Sequence, residues 1–503
     1  MADSAKKIES FNTSNICNSD SIRDIEKRNS QELIIGLCGA IGSGVKTLKN
    51  QMINTLRSSG YHVEHIRVSD LIAKCNNENA KNLSGFERYK RLQDLGDSLR
   101  KEHNGFICAE LSIHEIQMRR EMQYGDDSEN LIKNLSKTAY IVDQIKHPDE
   151  VKLFRVVYKN NFYLVGLLRT EAERKLNLKD EGIEEKNIAE LIERDRKSSD
   201  KLGQQVDESL QLSDYFIKNL DMGAMNESVQ RFINLIHGTS YITPTRDESG
   251  MYAAYSASLG SACLSRQVGA SIVDLDGNII SVGRNDVPKY GGGLYSSEDE
   301  NNSCCFKKQG CHNDKHKNLL KEQIVKALNT NGCSNAENLA DIIMKETKAK
   351  DLIEYSRAVH AEMDAIIALA RNANGETKGG TLYCTTYPCH ICARHIVAAG
   401  IKRVVYIEPY EKSLALDLHY DSICQSDKDS SSTKVLFENF EGVAPKRYAK
   451  FFGHGRRRKD NTGKPIMYSI DESYHVDSQH LDNYMELESK VVQNLDRKNI
   501  VEE

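Results

Sequence analysis

His360-Ala-Glu362 and, further on, Pro388-Cys389-His-Ile-Cys392 bring together the side chains of this sequence best suited to chemistry. One imidazole and two thiolates are donors that Zn2+ takes in a site with three protein ligands, which leaves a fourth position for water. Water held there has its pKa lowered to about 7. Glu362 is not needed as a ligand, so its carboxylate is available to take that water's proton and pass it on. Cys389 and Cys392 are spaced i, i+3, so on a helix their thiolates share one side. Pro388 suits the first turn of such a helix, where its missing N–H has no intrahelical partner. The positive end of the helix dipole favours thiolate over thiol. Taken alone, an H-x-E is common by chance, and a C-x-x-C also fits a redox pair or half of a structural zinc site. In order, with 27 residues from Glu362 to Cys389, the two select a catalytic metal site.

Several elements must position these groups. Val359 to Ala370 reads as a helix carrying His360 and Glu362 in its first turn, and Thr381 to Thr386 as a strand behind the Gly379-Gly380 break. Helix, strand, helix then delivers all three ligands to one point. Upstream, a helical pattern from Met251 gives way to alternating Val268, Ala270 and Ile272, an Asp-Gly-Asn turn, and Ile279, Ile280 and Val282. That is a helix, a hairpin, and a loop carrying Asn285.

The combined H-x-E…P-C-x-x-C order resembles the signature of zinc-dependent nucleobase deaminases, which replace an exocyclic amine of cytosine or adenine by oxygen. The run from Arg266-Gln-Val-Gly-Ala270 to Gly283-Arg-Asn285-Asp-Val-Pro288 resembles the opening of deoxycytidylate deaminases. That resemblance implies that Asn285 binds the sugar hydroxyl and that Arg266 lies near the substrate phosphate. An amide offers donor and acceptor, and a guanidinium suits a phosphate. Thr385 to Gly400, Tyr406 to Ser413 and Phe440 to Tyr448 are similar to bacterial antiphage deoxycytidylate deaminases, with the likeness running from about residue 30 to 455. Those proteins fuse a P-loop kinase-like domain to a deaminase domain. The resemblance implies deamination of free dCTP and dCMP to dUTP and dUMP, draining a pool that a phage needs. It also implies a homo-oligomer, commonly a hexamer, tuned by dCTP and dTTP, and in some members restraint by a small inhibitory RNA.

The expected fold is α/β: an N-terminal P-loop kinase-like parallel-sheet domain and a C-terminal three-layer α/β/α cytidine-deaminase-like domain. The expected boundaries are a tail at 1–30, a first domain at 31–238, a deaminase domain at 245–425 with an insertion at 289–350, and an extension at 426–503. After the apolar run Leu33 to Cys38, Gly39-Ala-Ile-Gly42-Ser-Gly44-Val45-Lys46-Thr47 opens a helix, the arrangement that cradles phosphates. It departs from G-x-x-x-x-G-K-[ST], because Val45 stands where the lysine belongs and Lys46 comes one place late, rotated by about 100°. Asp143 at a strand end, with Arg174, Arg194 and Arg196, resembles the phosphate edge and lid of small nucleoside and dephospho-coenzyme A kinases. Loss of the lysine removes charge that phosphoryl transfer relies on, so this domain is expected to bind ATP or a dNTP without turnover, as scaffold or sensor.

The remaining features bound the answer. A chain of 503 residues has room for two domains or more. Its 39% hydrophobic content and mean hydropathy of -0.56 describe a globular protein. No apolar run approaches the roughly 20 residues of a membrane helix, and the first residues lack the apolar core of a signal peptide. Thirteen cysteines, an odd number, fit a reduced cytosol better than a disulfide framework. A net charge of -5 argues against a dominant polyanion-binding surface, and so against an RNA or DNA cytidine editor. The other competing reading is a regulatory protein whose task is nucleotide sensing. Within the insertion, Cys304, Cys305, Cys311, His312 and His316 fit either a second zinc or a flexible cationic flap with incidental thiols. Gly455-Arg-Arg-Arg-Lys459 fits a solvated turn or a contact with the inhibitory RNA, and Leu481 to Glu503 a charged helix that helps assembly.

Overall fold

The computed structural model describes residues 30–76, 78, 84–124, 137–196, 202–219, 222–239, 241–307, 310–372, 375–410, 413–425, 433–453, 457–470, 481–496 and 498. Two mixed six-stranded sheets, both rich in parallel pairs, organise them. The first contains β1 (Leu33–Gly39), β2 (His62–Arg67), β3 (Thr138–Asp143), β4 (Phe162–Leu168) and β5 (Tyr215–Lys218) in the order β5-β4-β1-β3-β2, all parallel. Successive residues of β1, β3 and β4 are buried on opposite faces, which is why these strands read as largely apolar runs, whereas β2 at the edge is half exposed. Ile34, Tyr140, Val142 and Leu164 share a core with Ile113 and Phe154. Leu33, Ile35, Ile141 and Val165 share another with Leu48, Met52 and Phe232.

The helices of this region include α1 (Val45–Ser58), α2 (Gly85–Glu102), α3 (Ile107–Tyr124), α4 (Pro148–Tyr158), α5 (Glu171–Asp180), α6 (Glu185–Arg196) and α7 (Met222–His237), of which α5 and α6 pack on Ile41 and α2 in a cluster of their own. α1 and α7 lie on one face, α3 and α4 on the other.

The second sheet runs β10-β11-β9-β8-β6-β7. β6 (Gly269–Val273) and β7 (Ile279–Arg284) form the expected hairpin, and β8 (Thr381–Thr386) pairs antiparallel with β6. β9 (Arg403–Glu408), β10 (Ile423–Cys424) and β11 (Val435–Asn439) continue in parallel. One face packs on α8 (Arg246–Ser258), through Met251 and Ala254 against Val273, Tyr383 and Val405. The other packs on α9 (Ala361–Asn372) and α10 (His390–Ala398), through Ala361, Ala365, Cys392 and Ile396. α9 crosses β7 so closely that a Cβ at Gly283 would lie 2.3 Å from the Ala361 carbonyl oxygen, so only glycine fits there.

One expected boundary changes. Val435–Asn439, assigned from sequence to an extension beyond 425, is an inner strand of the second sheet. The chain then crosses over, and β12 (Gly442–Val443) adds an antiparallel edge to β5 of the first sheet. The insertion at 289–350 carries helices at His312–Thr330 and Ala336–Glu346. The C-terminal helix, α11 (Leu481–Asp496), packs within its own chain: Tyr484 and Leu495 join the core of the first sheet. Arg120 of α3 is there held between Glu32 (2.9 Å) and Glu488 (2.6 Å), and all three are buried. The expected tail up to residue 29 lies outside the described residues. Among the described residues no helix is long and apolar enough to cross a membrane, and no two cysteines form a disulfide.

Candidate active site

His360 immediately precedes α9, and its carbonyl accepts from the Asp364 N–H at 2.9 Å, so it caps the helix instead of lying in its first turn. Cys389 is the N-cap of α10 and Cys392 lies in that helix's first turn. Pro388 stands one residue before the cap, where its carbonyl accepts from Ser413 Oγ at 2.8 Å. The two helix starts meet across the end of β8. His360 Nδ1 lies 3.2 Å from Cys389 Sγ and 3.4 Å from Cys392 Sγ, and all three ligand atoms fall within 4.8 Å of one another. Tetrahedral zinc with its usual bond lengths sets sulfur and nitrogen about 3.6 Å apart, so the donor set fits that ion in both type and spacing.

Protons fill the same demand within the protein. Cys389 is driven far down by the hydrogen bond from Cys392, against burial and with help from His360. The hydrogen bond to Cys389 lifts His360 to about 9 against burial. Glu362 is 4% exposed, and burial, followed by the negative charge of Cys389, pushes its carboxyl up. A bound dication would be the largest local charge and would pull that carboxyl back toward ionisation. A carboxyl balanced between these influences is suited to exchanging protons.

His360, Glu362 and Cys389 line a pocket of about 190 Å³ that also contains Arg266, Asn285 and Tyr410, with Cys392 buried behind it. Asn285 is already hydrogen-bonded within its own loop. Its Oδ1 accepts from the Val268 N–H (2.8 Å) and Ser261 Oγ (2.9 Å), and its Nδ2 donates to the Arg266 carbonyl (2.9 Å). The acceptor is consumed in shaping the loop, which leaves one amide hydrogen for a ligand. Arg266 is 45% exposed, with its guanidinium 3.7 Å from Glu408, which also accepts from Thr386 Oγ1 at 3.2 Å. Sequence reasoning missed Glu408, because a carboxylate at a strand end has no local signature. It also missed Arg357, which lines the pocket and donates to the Ser303 carbonyl at 3.1 Å, tying the insertion to the site. A cation three places before the metal-binding histidine was the available signal.

Of the two readings of the insertion's cysteines and histidines, the second zinc set does not assemble. Among the described residues only His360, Cys389 and Cys392 bring three ligand atoms together. Cys304 is buried, whereas Cys305, Cys311 and His312 border the pocket. In the glycine loop, Gly42, Gly44 and Lys46 line a separate cavity of about 820 Å³, with Asp143 across it; Gly39 and Thr47 flank that wall. Arg194 is paired with Asp94 and Asp97 of α2, at 2.6 and 2.9 Å. In the basic run, Arg456 lies outside the described residues, Arg457 donates to the Lys459 carbonyl and Asn461, and Arg458 stacks over Tyr241.

A mixed sheet flanked by helices whose starts present one imidazole and two cysteine sulfurs beside a buried glutamate has the make-up of a zinc-type hydrolytic centre. The sequence model for the cytidine and deoxycytidylate deaminase zinc-binding region matches residues 244–408. The deoxycytidylate deaminase of Enterobacteria phage T4 is 33% identical over 163 residues, covering 32% of this chain and 76% of that protein. The human deoxycytidylate deaminase is 29% identical over 121 residues, covering 24% of this chain and 55% of that protein. The crystal structure of a cyanophage S-TIM5 dCMP deaminase with dCMP and dUMP aligns over 39% of this chain and 98% of that one, at 22% identity and a TM-score of 0.23. The chain belongs to the deoxycytidylate deaminase family and is an enzyme of that class.

Proposed function

We propose that the chain hydrolyses the amino group of free deoxycytidine nucleotides, dCMP and dCTP, giving dUMP, dUTP and ammonia. The observation that carries this is the convergence of His360, Cys389 and Cys392 beside buried Glu362, at a pocket that His360, Cys389 and Glu362 line together with Asn285 and Arg266. A zinc ion held by those three would supply water activated at near-neutral pH. Glu362 takes a proton from the attacking water, gives it to ring nitrogen N3, and serves again as the C4–N bond breaks and ammonia leaves. The remaining Asn285 N–H donates to the sugar, while Arg266 exchanges Glu408 for the substrate phosphate.

The first sheet's glycine loop binds ATP or a dNTP without turning it over. We place this activity in the cytoplasm, in a homo-oligomer, where loss of the deoxycytidine nucleotide pool opposes phage replication; the likeness at Thr385 to Gly400, Tyr406 to Ser413 and Phe440 to Tyr448 supports that setting. The test follows uracil product from dCMP, dCTP, CMP and single-stranded DNA. Product should come from the two deoxynucleotides, and Glu362→Ala should lower it by about 10²–10⁴-fold. Product from DNA alone would transfer the chain to the editors.

A further inference from the structure

The glycine loop has the shape of an anion cradle. Gly42 and Gly44 take left-handed φ values of 78° and 93°, and alternation of this kind turns successive amides into one concavity. Outside groups pin the loop by its carbonyls: Asn177 Nδ2 donates to Gly42 O at 2.8 Å and Asn219 Nδ2 to Ser43 O at 2.6 Å. A Cβ at Gly44 would strike Asn219 Nδ2 at 2.4 Å, so the loop has little room to relax. The first turn of α1 adds amides with no intrahelical partner.

A side chain of the same protein already uses this cradle. The Ile41 N–H donates to Asp195 Oδ2 at 2.7 Å, and the Lys146 ammonium pairs with Oδ1 of the same carboxylate. Asp195 is 0% exposed and sits in the last turn of α6, where the negative end of the helix dipole disfavours a carboxylate. Its own helix therefore gives it no support; the cradle does. One carboxylate still leaves demand around it. Ser43 Oγ, on a cavity-lining residue that is 1% exposed, has no hydrogen-bond partner among the described residues. Nor do Nε and Nη1 of Arg174, a residue 9% exposed whose backbone packs on Gly42. A phosphate offers three acceptor oxygens where a carboxylate offers two. The cavity of about 820 Å³ lies within the range of small-ligand sites, and Lys46, Lys49 and Arg88 also line it.

We propose that Asp195 is an internal anion standing in the phosphate cradle of residues 40–46, and that a nucleoside polyphosphate binds there by displacing it and releasing the end of α6. This rests on reading the glycine loop as a nucleotide site, and it adds the resident competitor. An internal competitor lowers apparent affinity by the fraction of molecules whose cradle is open, so its removal has a defined sign.

The experiment is calorimetric titration of the full-length protein with ATP, chosen because it lacks the cytosine that the deaminase pocket would take. Asp195→Asn keeps the shape and removes the charge. It should bind ATP about tenfold or more tightly than wild type. In wild type, ATP should slow amide exchange at 40–47 and accelerate it at 185–196. Equal affinity in wild type and variant overturns the competition while leaving a nucleotide site in place; no binding to either overturns both. Should Asp195→Asn fail to fold, wild-type exchange decides alone, since protection of α6 together with the loop is the opposite of displacement. A chain that binds ATP in this way but fails to deaminate dCMP or dCTP would sink the proposed substrates and leave Asp195 in its role.

Discussion

At the deaminase pocket, two sulfurs and an imidazole nitrogen converge within 4.8 Å and are reconciled only by sharing protons. At the glycine loop, an amide and an ammonium already hold a carboxylate of the same chain. Both sites use the start of a helix: α10 presents Cys389 and Cys392, and α1 follows the loop. The difference lies in who satisfies the charge. Donors of one kind, crowded together, require an external cation, whereas a cradle with its own anion is stable until a stronger anion arrives. A helix start is therefore not enough to define a site; the partner already present decides what can enter.

The largest test breaks the first half of this comparison. Cys392→Ala should remove zinc, so that metal analysis falls from one ion per chain to none. Deaminase activity should fall by about 10³-fold or more, since the activated water is lost. The glycine-loop cavity should be untouched, with unchanged amide exchange at 40–47. A variant that keeps a full complement of zinc would show that the metal sits elsewhere.

The converse substitution strikes the first sheet. Arg120 is 2% exposed and neutralises Glu32 and Glu488, each 1% exposed, while the Tyr484 hydroxyl donates to Glu32 at 2.7 Å. Arg120→Met would leave two buried carboxylates facing one another. Removing one partner of a buried ion pair costs about 3–5 kcal/mol, so the denaturant midpoint of this sheet should drop accordingly. Zinc content should stay at one ion per chain. Loss of zinc together with this cluster would mean that the two sheets unfold as one unit.

What could be read in advance follows the same divide. His360, Glu362, Cys389 and Cys392 are legible because their spacing within helix starts is local, and β8 between them has clear strand chemistry. β1, β3 and β4 are legible because strands buried on both faces are apolar runs. Asp195 was not, since its partner Ile41 lies 154 residues away and an aspartate in a charged helix carries no periodic mark. β11 was missed because it follows a polar loop, and its pairing with β9 depends on the whole sheet. The second zinc set does not form for the reverse reason: cysteines close in sequence need not converge, and Cys304 is buried away from the pocket that Cys305 and Cys311 border. Asn285 was placed correctly in the pocket, but its acceptor was counted as available when Val268 and Ser261 had taken it.

The smallest expected effect lies at the seam between the sheets. Lys218 at the end of β5 reaches Glu438 of β11 at 2.5 Å, Glu438 also bonds Arg403, and Arg403 clamps Asp247 of α8 with two bonds of 2.7 Å. Next to Lys218, Asn219 holds the glycine loop, so this ladder joins the neighbourhoods of both sites. Burial works against the Asp247 charge, but the Arg403 guanidinium and the Tyr383 hydroxyl outweigh it and hold the carboxyl below the usual range. A carboxyl whose folded pKa is depressed adds stability above its unfolded value, near 3.9, and that stability fades as pH falls through the folded value. Asp247→Asn should therefore cost about 1.5–3 kcal/mol at pH 7, the range for hydrogen bonds to a charged group. The gap from wild type should close as pH drops below about 4. A gap that persists unchanged at pH 3 would assign the loss to packing and remove charge from the account of how the sheets are joined.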